Sequence, residues 1–258
     1  MSRNRMGSGG YDAWVRLLRT FAAQPSPRLR IVMHTITRLE RTPPESIDSQ
    51  IMQMVVDYVT DISMVGIAPS NPLYPLYQFG VGHEVHQYVQ AMDGSRGFPV
   101  ELIVALDPED PSVVSGFLLY LPVQGDADAC SVAYMAVKAD QRRRGIARAM
   151  IEKMLARYPH AELACFVNKV PYFEAMGFQV LAARGPQVLM NTRDHQTDGL
   201  LAVIDTTPIY QSVEVRQIHA YLLKQHGNRA MTDAEKQRDR QLDQLTRQAR
   251  LFVNERLG

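Results

Sequence analysis

Val132-Ala-Tyr-Met-Ala-Val137, then Lys138-Ala-Asp-Gln141, then Arg142-Arg-Arg-Gly145-Ile-Ala147 is the stretch on which the fold turns. It reads as an apolar strand, a loop with three consecutive arginines, and a helix that starts at a glycine. A helix start leaves several backbone N–H groups without intrahelical partners and carries about half a positive charge. Gly145 and the small Ala147 allow a ligand to lie close against that backbone. The unit suits a diphosphate. Hydrogen bonds to a charged group contribute about 1.5–3 kcal/mol each, so a few donors and an arginine would hold a nucleotide cofactor. A solvated arginine run before an ordinary surface helix is the plainer alternative. Other phosphate motifs are missing: no G-x-x-x-x-G-K-[ST] occurs, and Gly80-Val-Gly82 lacks a third glycine and a strand in front.

Downstream, the spacing predicts a helix over Gly145–Arg157, with Ile146, Met150, Ile151, Met154 and Leu155 on one face. A strand at Glu162–Val167, a short helix, and strands at Gln179–Ala183 and Gln187–Asn191 follow. Upstream, Val100–Leu106 and Val113–Pro122 read as strands around the turn at 107–112, and Ser131–Val137 as the next one. Earlier still come a tail at 1–10, an amphipathic helix at Tyr11–Gln24, a strand at Ile31–Leu39 and a helix at Ser46–Ile62. A turn-rich segment at 71–83 leads to a helix near Glu84–Met92. After Thr192, helices are expected at Val213–Lys224 and Thr232–Leu257, the latter opened by a Thr232/Glu235 capping box. Leu242, Leu245, Ala249 and Phe252 recur at 3-4-3 spacing, the pattern of a helix docked on its own domain or, alternatively, of a subunit interface. The chain therefore divides into a tail and short helix (1–30), a central domain (31–191) and a helical C-terminal extension (192–258).

Composition bounds the function. The chain has 258 residues, 46% of them apolar, with 28 Lys plus Arg against 27 Asp plus Glu. A net charge of +1 supplies no global basic field, so neither nucleic acid nor an anionic membrane is the expected partner. Cys130 and Cys165 both sit in apolar runs and read as buried thiols of a reducing compartment. Neither a secretory leader nor a run approaching about 18 apolar residues is visible, so the cytoplasm is the expected location. His83 and His86 stand at i and i+3 rather than the i and i+4 of the zinc-protease helix, and no metal is expected.

Arg142-x-x-Gly145-x-Ala147 is similar to the [QR]-x-x-G-x-[GA] motif of the GNAT superfamily of N-acetyltransferases, and Val137 stands where that family's fourth strand ends. Asn168, followed by Tyr172-Phe-Glu-Ala-Met-Gly177-Phe178, resembles the family's second conserved region. The resemblance implies an α/β GNAT fold: a mixed central sheet flanked by helices, here with the C-terminal extension. It also implies acetyl-CoA as co-substrate, no metal, a small-molecule or peptide amine as acceptor, and a monomer or homodimer. By position, backbone groups of Met135, Ala136 and Val137 would meet the pantetheine arm and polarise the thioester carbonyl. N–H groups of Arg143, Arg144, Gly145, Ile146, Ala147 and Arg148 would hold the pyrophosphate, with the Arg142 side chain nearby. Asn168 would lie beside the pantetheine, and is equally a good helix N-cap. Tyr74 and Tyr77, with His83, fall where the family lines its acceptor pocket.

The resemblance leaves the proton chemistry open. An amine of pKa near 10.4 is neutral only about once in 2,500 molecules at pH 7, an obstacle of roughly 4.6 kcal/mol. Many family members place a glutamate on the fourth strand, but 131–137 contains no acid. Glu84, His83 and Tyr134 are the substitutes. The family's thiolate-protonating tyrosine corresponds to Phe173, so Tyr172, one helical step of about 100° earlier, is the expected donor. A non-catalytic acyl-CoA-binding or interaction module is the alternative function.

Overall fold

The computed structural model describes residues 34–258. Strand β1 (Thr35–Leu39) leads to helix α1 (Glu45–Asp57), the single turn α2 (Val59–Ile62) and helix α3 (Tyr74–Ala91). Strands β2 (Glu101–Leu106), β3 (Val114–Pro122) and β4 (Ala129–Val137) follow, then α4 (Ile146–Leu155), β5 (His160–Cys165) and the short α5 (Val170–Glu174). Strands β6 (Gln179–Arg184) and β7 (Gln187–Asn191), the turn α6 (Thr207–Tyr210) and the long α7 (Val213–Leu257) complete the chain. The tail at 1–10, the helix expected at Tyr11–Gln24 and the first residues of the strand expected from Ile31 lie outside the described residues.

The strands form one mixed sheet in the order β1-β2-β3-β4-β5-β7-β6, antiparallel except for the β4–β5 pair. Its central strands alternate apolar residues toward both faces, as strands buried on both sides do. Ile103, Ala105, Leu118 and Tyr120 meet Met150, Ile151 and Met154 of α4 on one face. Leu102, Val104, Phe117 and Leu119 meet Ile51, Val55, Val85 and Val89 of α1 and α3 on the other.

Two helices depart from the sequence reading. α3 begins at Tyr74, not near Glu84, so most of the segment expected as turns is helical. Pro75 sits in the first turn, where its missing N–H costs nothing. α7 is two helices that meet at a kink at Gly227 (φ +81°, ψ 160°), matching the two expected, but the second is already helical before Thr232, so the Thr232/Glu235 capping box does not form. Packing decides the outcome: Met231 and Ala234, on either side of Thr232, are buried against Ile67, Leu73 and Leu222. Further along, Ala249 and Val253 are buried in the same core as β6 and α4, so this helix docks on its own sheet.

Candidate active site

The site begins where β4 and β5 part. Their parallel pairing covers only Ala129–His160, Cys130–Ala161 and Ser131–Glu162. On the opposite edge of β4, Tyr120 faces Val132 and Leu119 faces Tyr134, which leaves Ala133 as an extra, bulged residue. A bulge bends its strand and increases the local twist. Beyond it a cleft of about 560 Å³ opens, walled by Val132–Val137 on one side and Leu163–Phe166 on the other. Lys138 N–H donates to Ser115 O (2.9 Å), so by the alternation of an antiparallel ladder Ala136 also faces β3. Met135 and Val137 therefore turn their backbone groups toward the gap. Arg142 Nε takes the Val137 carbonyl from that side (3.1 Å).

Next to this gap lies the N-terminus of α4. Arg143 (φ +63°) and Gly145 (φ +79°) are both left-handed, and their turn aims the chain into the helix. From Arg143 through Arg148 no backbone N–H donates to an acceptor among the described residues; the first bond of the helix is Ala149 N–H to Gly145 O (2.9 Å). The donors expected for a diphosphate are thus brought together, beside the strand backbone expected for a thioester arm. The arginine side chains divide. Arg143 and Arg144 are exposed and make no ion pair with described residues. Arg148 donates to Ala175 O (2.8 Å). Arg142 is held by Val137 O, by the ring of Tyr58 at 4.8 Å and by Asp61 at 3.3 Å.

On the other side of β4, one face of α3 presents Tyr77, Gly80, Glu84 and Tyr88 at three- and four-residue spacing. The Tyr134 side chain lies beside Glu84. Burial raises the Glu84 carboxyl above its usual range, with the neighbouring Tyr134 hydroxyl opposing the shift. Burial first, then the nearby Glu84 charge, lifts the Tyr134 phenol well above its own. Tyr210, from the C-terminal extension, lies across Gly80 and is pushed up to about 12 by burial, with Tyr77 and Glu84 adding to the effect. Tyr88 accepts from Ile204 N–H (3.1 Å), which ties the extension across α3.

Other expected residues fall elsewhere. Asn168 is exposed, lines no part of the cleft and caps no helix. The chain leaves β5 through a 3-10 turn at Val167–Lys169, closed by Lys169 N–H to Phe166 O (2.8 Å), which turns Phe166 and Lys169 to the cleft and Asn168 outward. His83 is exposed and stacks on Phe79 (5.6 Å), one residue off the Glu84 face. Tyr74 is packed between two hydrophobic clusters. Tyr77 belongs to the Glu84 face, near the Arg238 guanidinium. Tyr172 and the buried Phe173 both line the cleft, but Tyr172 is 46% exposed and its charged neighbour is Arg148, not Glu84. Cys130 and Cys165 are buried thiols whose pKa burial raises, Cys165 to about 12.

Sequence reading missed Tyr58, Asp61, Tyr88, Lys169 and Tyr210. Only Tyr210 left a trace, in the form of Gly80, an unfavourable residue inside a helix unless something packs on it. Among the described residues no cluster of three metal-ligating side chains forms, and no helix is long and apolar enough to cross a membrane.

Residues 100–180 match the acetyltransferase (GNAT) domain family. No curated protein matches the chain by sequence. Among solved structures, the chain is similar to a histone acetyltransferase HPA2 and related acetyltransferase from Corynebacterium glutamicum (15% identity, 64% of this chain, 99% of that one, TM-score 0.48). It is also similar to the PaiA N-acetyltransferase of Thermoplasma acidophilum, solved with coenzyme A (11% identity, 62% and 99%, TM-score 0.45). A third likeness, to nourseothricin acetyltransferase, is more partial: 15% identity, 36% of this chain and 64% of that one, TM-score 0.32. Residues 100–180, which run from the start of β2 into β6 of the mixed seven-stranded sheet, are thus the part of the chain that matches the GNAT acetyltransferase domain.

Proposed function

We propose that the protein transfers an acetyl group from acetyl-CoA to a primary amine, with Glu84 as the base and Tyr134 as the proton donor. The observation that carries this reading is the gap between β4 and β5. Backbone groups of Met135 and Val137 face it, and the unpartnered N–H groups of 143–148 stand at one end of it. A thioester arm fits the first feature and a pyrophosphate the second.

The acceptor amine enters from the α3 side, where Glu84 is a half-buried acid. An acid raised above its usual range is a better base for an ammonium than an exposed one, because proton transfer improves as the two pKa values approach. Glu84 takes the ammonium proton, and the freed nitrogen attacks the thioester carbon. As the C–S bond breaks, the sulfur leaves as a thiolate and takes a proton from Tyr134, and the second proton of the attacking nitrogen passes to the Tyr134 oxygen, which restores the phenol and leaves a neutral amide. Tyr172 then belongs to the wall beside the phosphates. An ammonium faces one carboxylate among tyrosines, which favours a small cationic amine or the N-terminus of a peptide.

The test is thiol release from acetyl-CoA in the presence of polyamines, lysine and short peptides with free N-termini. Amine-dependent release is expected, falling about 10²–10⁴-fold in Glu84→Gln and at least tenfold in Tyr134→Phe. Tyr172→Phe should change it little. Tight CoA binding without turnover on any amine would instead make the protein an acyl-CoA-binding module.

A further inference from the structure

Asp61 is the one acidic residue among the described residues that line the cleft, whose lining also holds the cations Arg142, Arg143, Arg148 and Lys169. Its two carboxylate oxygens are divided between opposite walls. Oδ2 lies 3.3 Å from Arg142 Nη2, on the β4 side, and Oδ1 lies 3.3 Å from Lys169 Nζ, on the β5 side. Three residues earlier, Tyr58 accepts from Ala139 N–H (2.8 Å) and places its ring under the Arg142 guanidinium. The segment from Tyr58 to Asp61 therefore straps the α1–α2 corner to both edges of the cleft. A carboxylate between two cations, at the end of a cleft whose backbone donors are all unpartnered, stands where a phosphate oxygen would.

We propose that Asp61 is a specificity-determining residue of the cofactor cleft: an internal counter-ion that an acyl donor displaces only if it carries its own phosphates. This rests on the reading of the cleft as the acetyl-CoA site. A diphosphate brings at least two negative charges to Arg142 and Lys169, outcompetes the single carboxylate and releases the strap. An uncharged pantetheine thioester offers those cations nothing in exchange, so Asp61 remains in place across its path. The strap thus makes the cleft select for phosphorylated donors, at the cost of affinity for all of them. It also frees the α1–α2 corner, which abuts the acceptor-side helix α3, only after the donor has entered.

The experiment is calorimetric titration of the whole chain, wild type, Asp61→Asn and Asp61→Glu, with CoA and with pantetheine. Loss of one unit charge a few ångströms from the phosphates should tighten CoA binding about five- to tenfold in Asp61→Asn. Asp61→Glu keeps the charge and should bind CoA within about twofold of the wild type. The CoA advantage of Asp61→Asn should shrink as salt is raised, because exposed charges are screened. Selectivity is read from the ratio of the two dissociation constants. Pantetheine should gain less than CoA does, or stay too weak to detect in all three proteins. Unchanged or weaker CoA binding in Asp61→Asn overturns the proposal, and so does an equal gain for both ligands, which would mark Asp61 as a steric plug. Wild type that binds no CoA defeats the reading of the cleft itself. Melting curves of the three proteins establish that each is folded.

Discussion

Gly80 of α3 lies directly beneath the phenol of Tyr210: a Cβ placed on it would come within 2.6 Å of the hydroxyl and 2.7–2.8 Å of the ring. A helix interior normally loses about 1 kcal/mol by having glycine in place of alanine. The close approach of Tyr210 explains why alanine does not fit. In a background of Tyr210→Ala, Gly80→Ala should therefore stabilise the protein by about 1 kcal/mol. With Tyr210 present the same substitution should bring no gain, or a loss, as the ring is displaced. Urea denaturation of the four proteins measures the coupling. Additive effects would mean that Tyr210 does not rest on Gly80 in solution.

Glu84 has a pKa raised above its ordinary value of 4.5, burial being the main cause. The folded protein then holds this proton to a higher pH than the unfolded chain does. Stability associated with Glu84 is complete below the unfolded-state pKa and is lost as the pH rises through the raised folded-state value. Glu84→Gln cannot titrate. Its stability relative to wild type should climb as pH rises across that window and level off above it. Parallel denaturation series in buffers from about pH 4 to pH 8 test this, and a difference that stays flat across the whole range would sink it.

Gly145 occupies the left-handed region at φ +79°, with open space around the position of a Cβ. Gly145→Ala should therefore cost about 1–2 kcal/mol through backbone strain alone, without a steric clash. Gly145→Glu adds a carboxylate among the donors of 143–148. Acetyl-CoA should raise the melting temperature of the wild type and leave that of Gly145→Glu unmoved. Equal shifts in the two proteins would remove this helix start from the donor site.

Much of the architecture was legible locally. Period-two alternation in 100–122, the stripe of Ile146, Met150, Ile151 and Met154, and the run from Val132 to Ala147 each describe a short stretch whose structure depends on near neighbours. Local rules failed where distant packing overruled them. Pro75 and two glycines read as breakers, yet α3 forms, because proline is tolerated in a first turn and Tyr210 packs on Gly80. Thr232 reads as a cap, yet buried Met231 and Ala234 carry the helix through it. Asn168 reads as a cofactor contact, yet one 3-10 turn rotates it outward.

The sequence by itself determined the strand–loop–helix unit that ends in unpartnered N–H groups, because backbone geometry at a helix start follows from a few adjacent residues. Glu84 and Tyr134 were legible as candidates, but not as a pair. Only the tertiary structure decided that they lie side by side, that Tyr210 rests on Gly80 near them, and that Asp61 spans Arg142 and Lys169, which lie 81 and 108 residues away along the chain. The bulge at Ala133 that parts β4 from β5 is likewise a matter of register against β3. Contacts of that kind are set by how a whole sheet and its helices pack, and no window of neighbouring residues contains them.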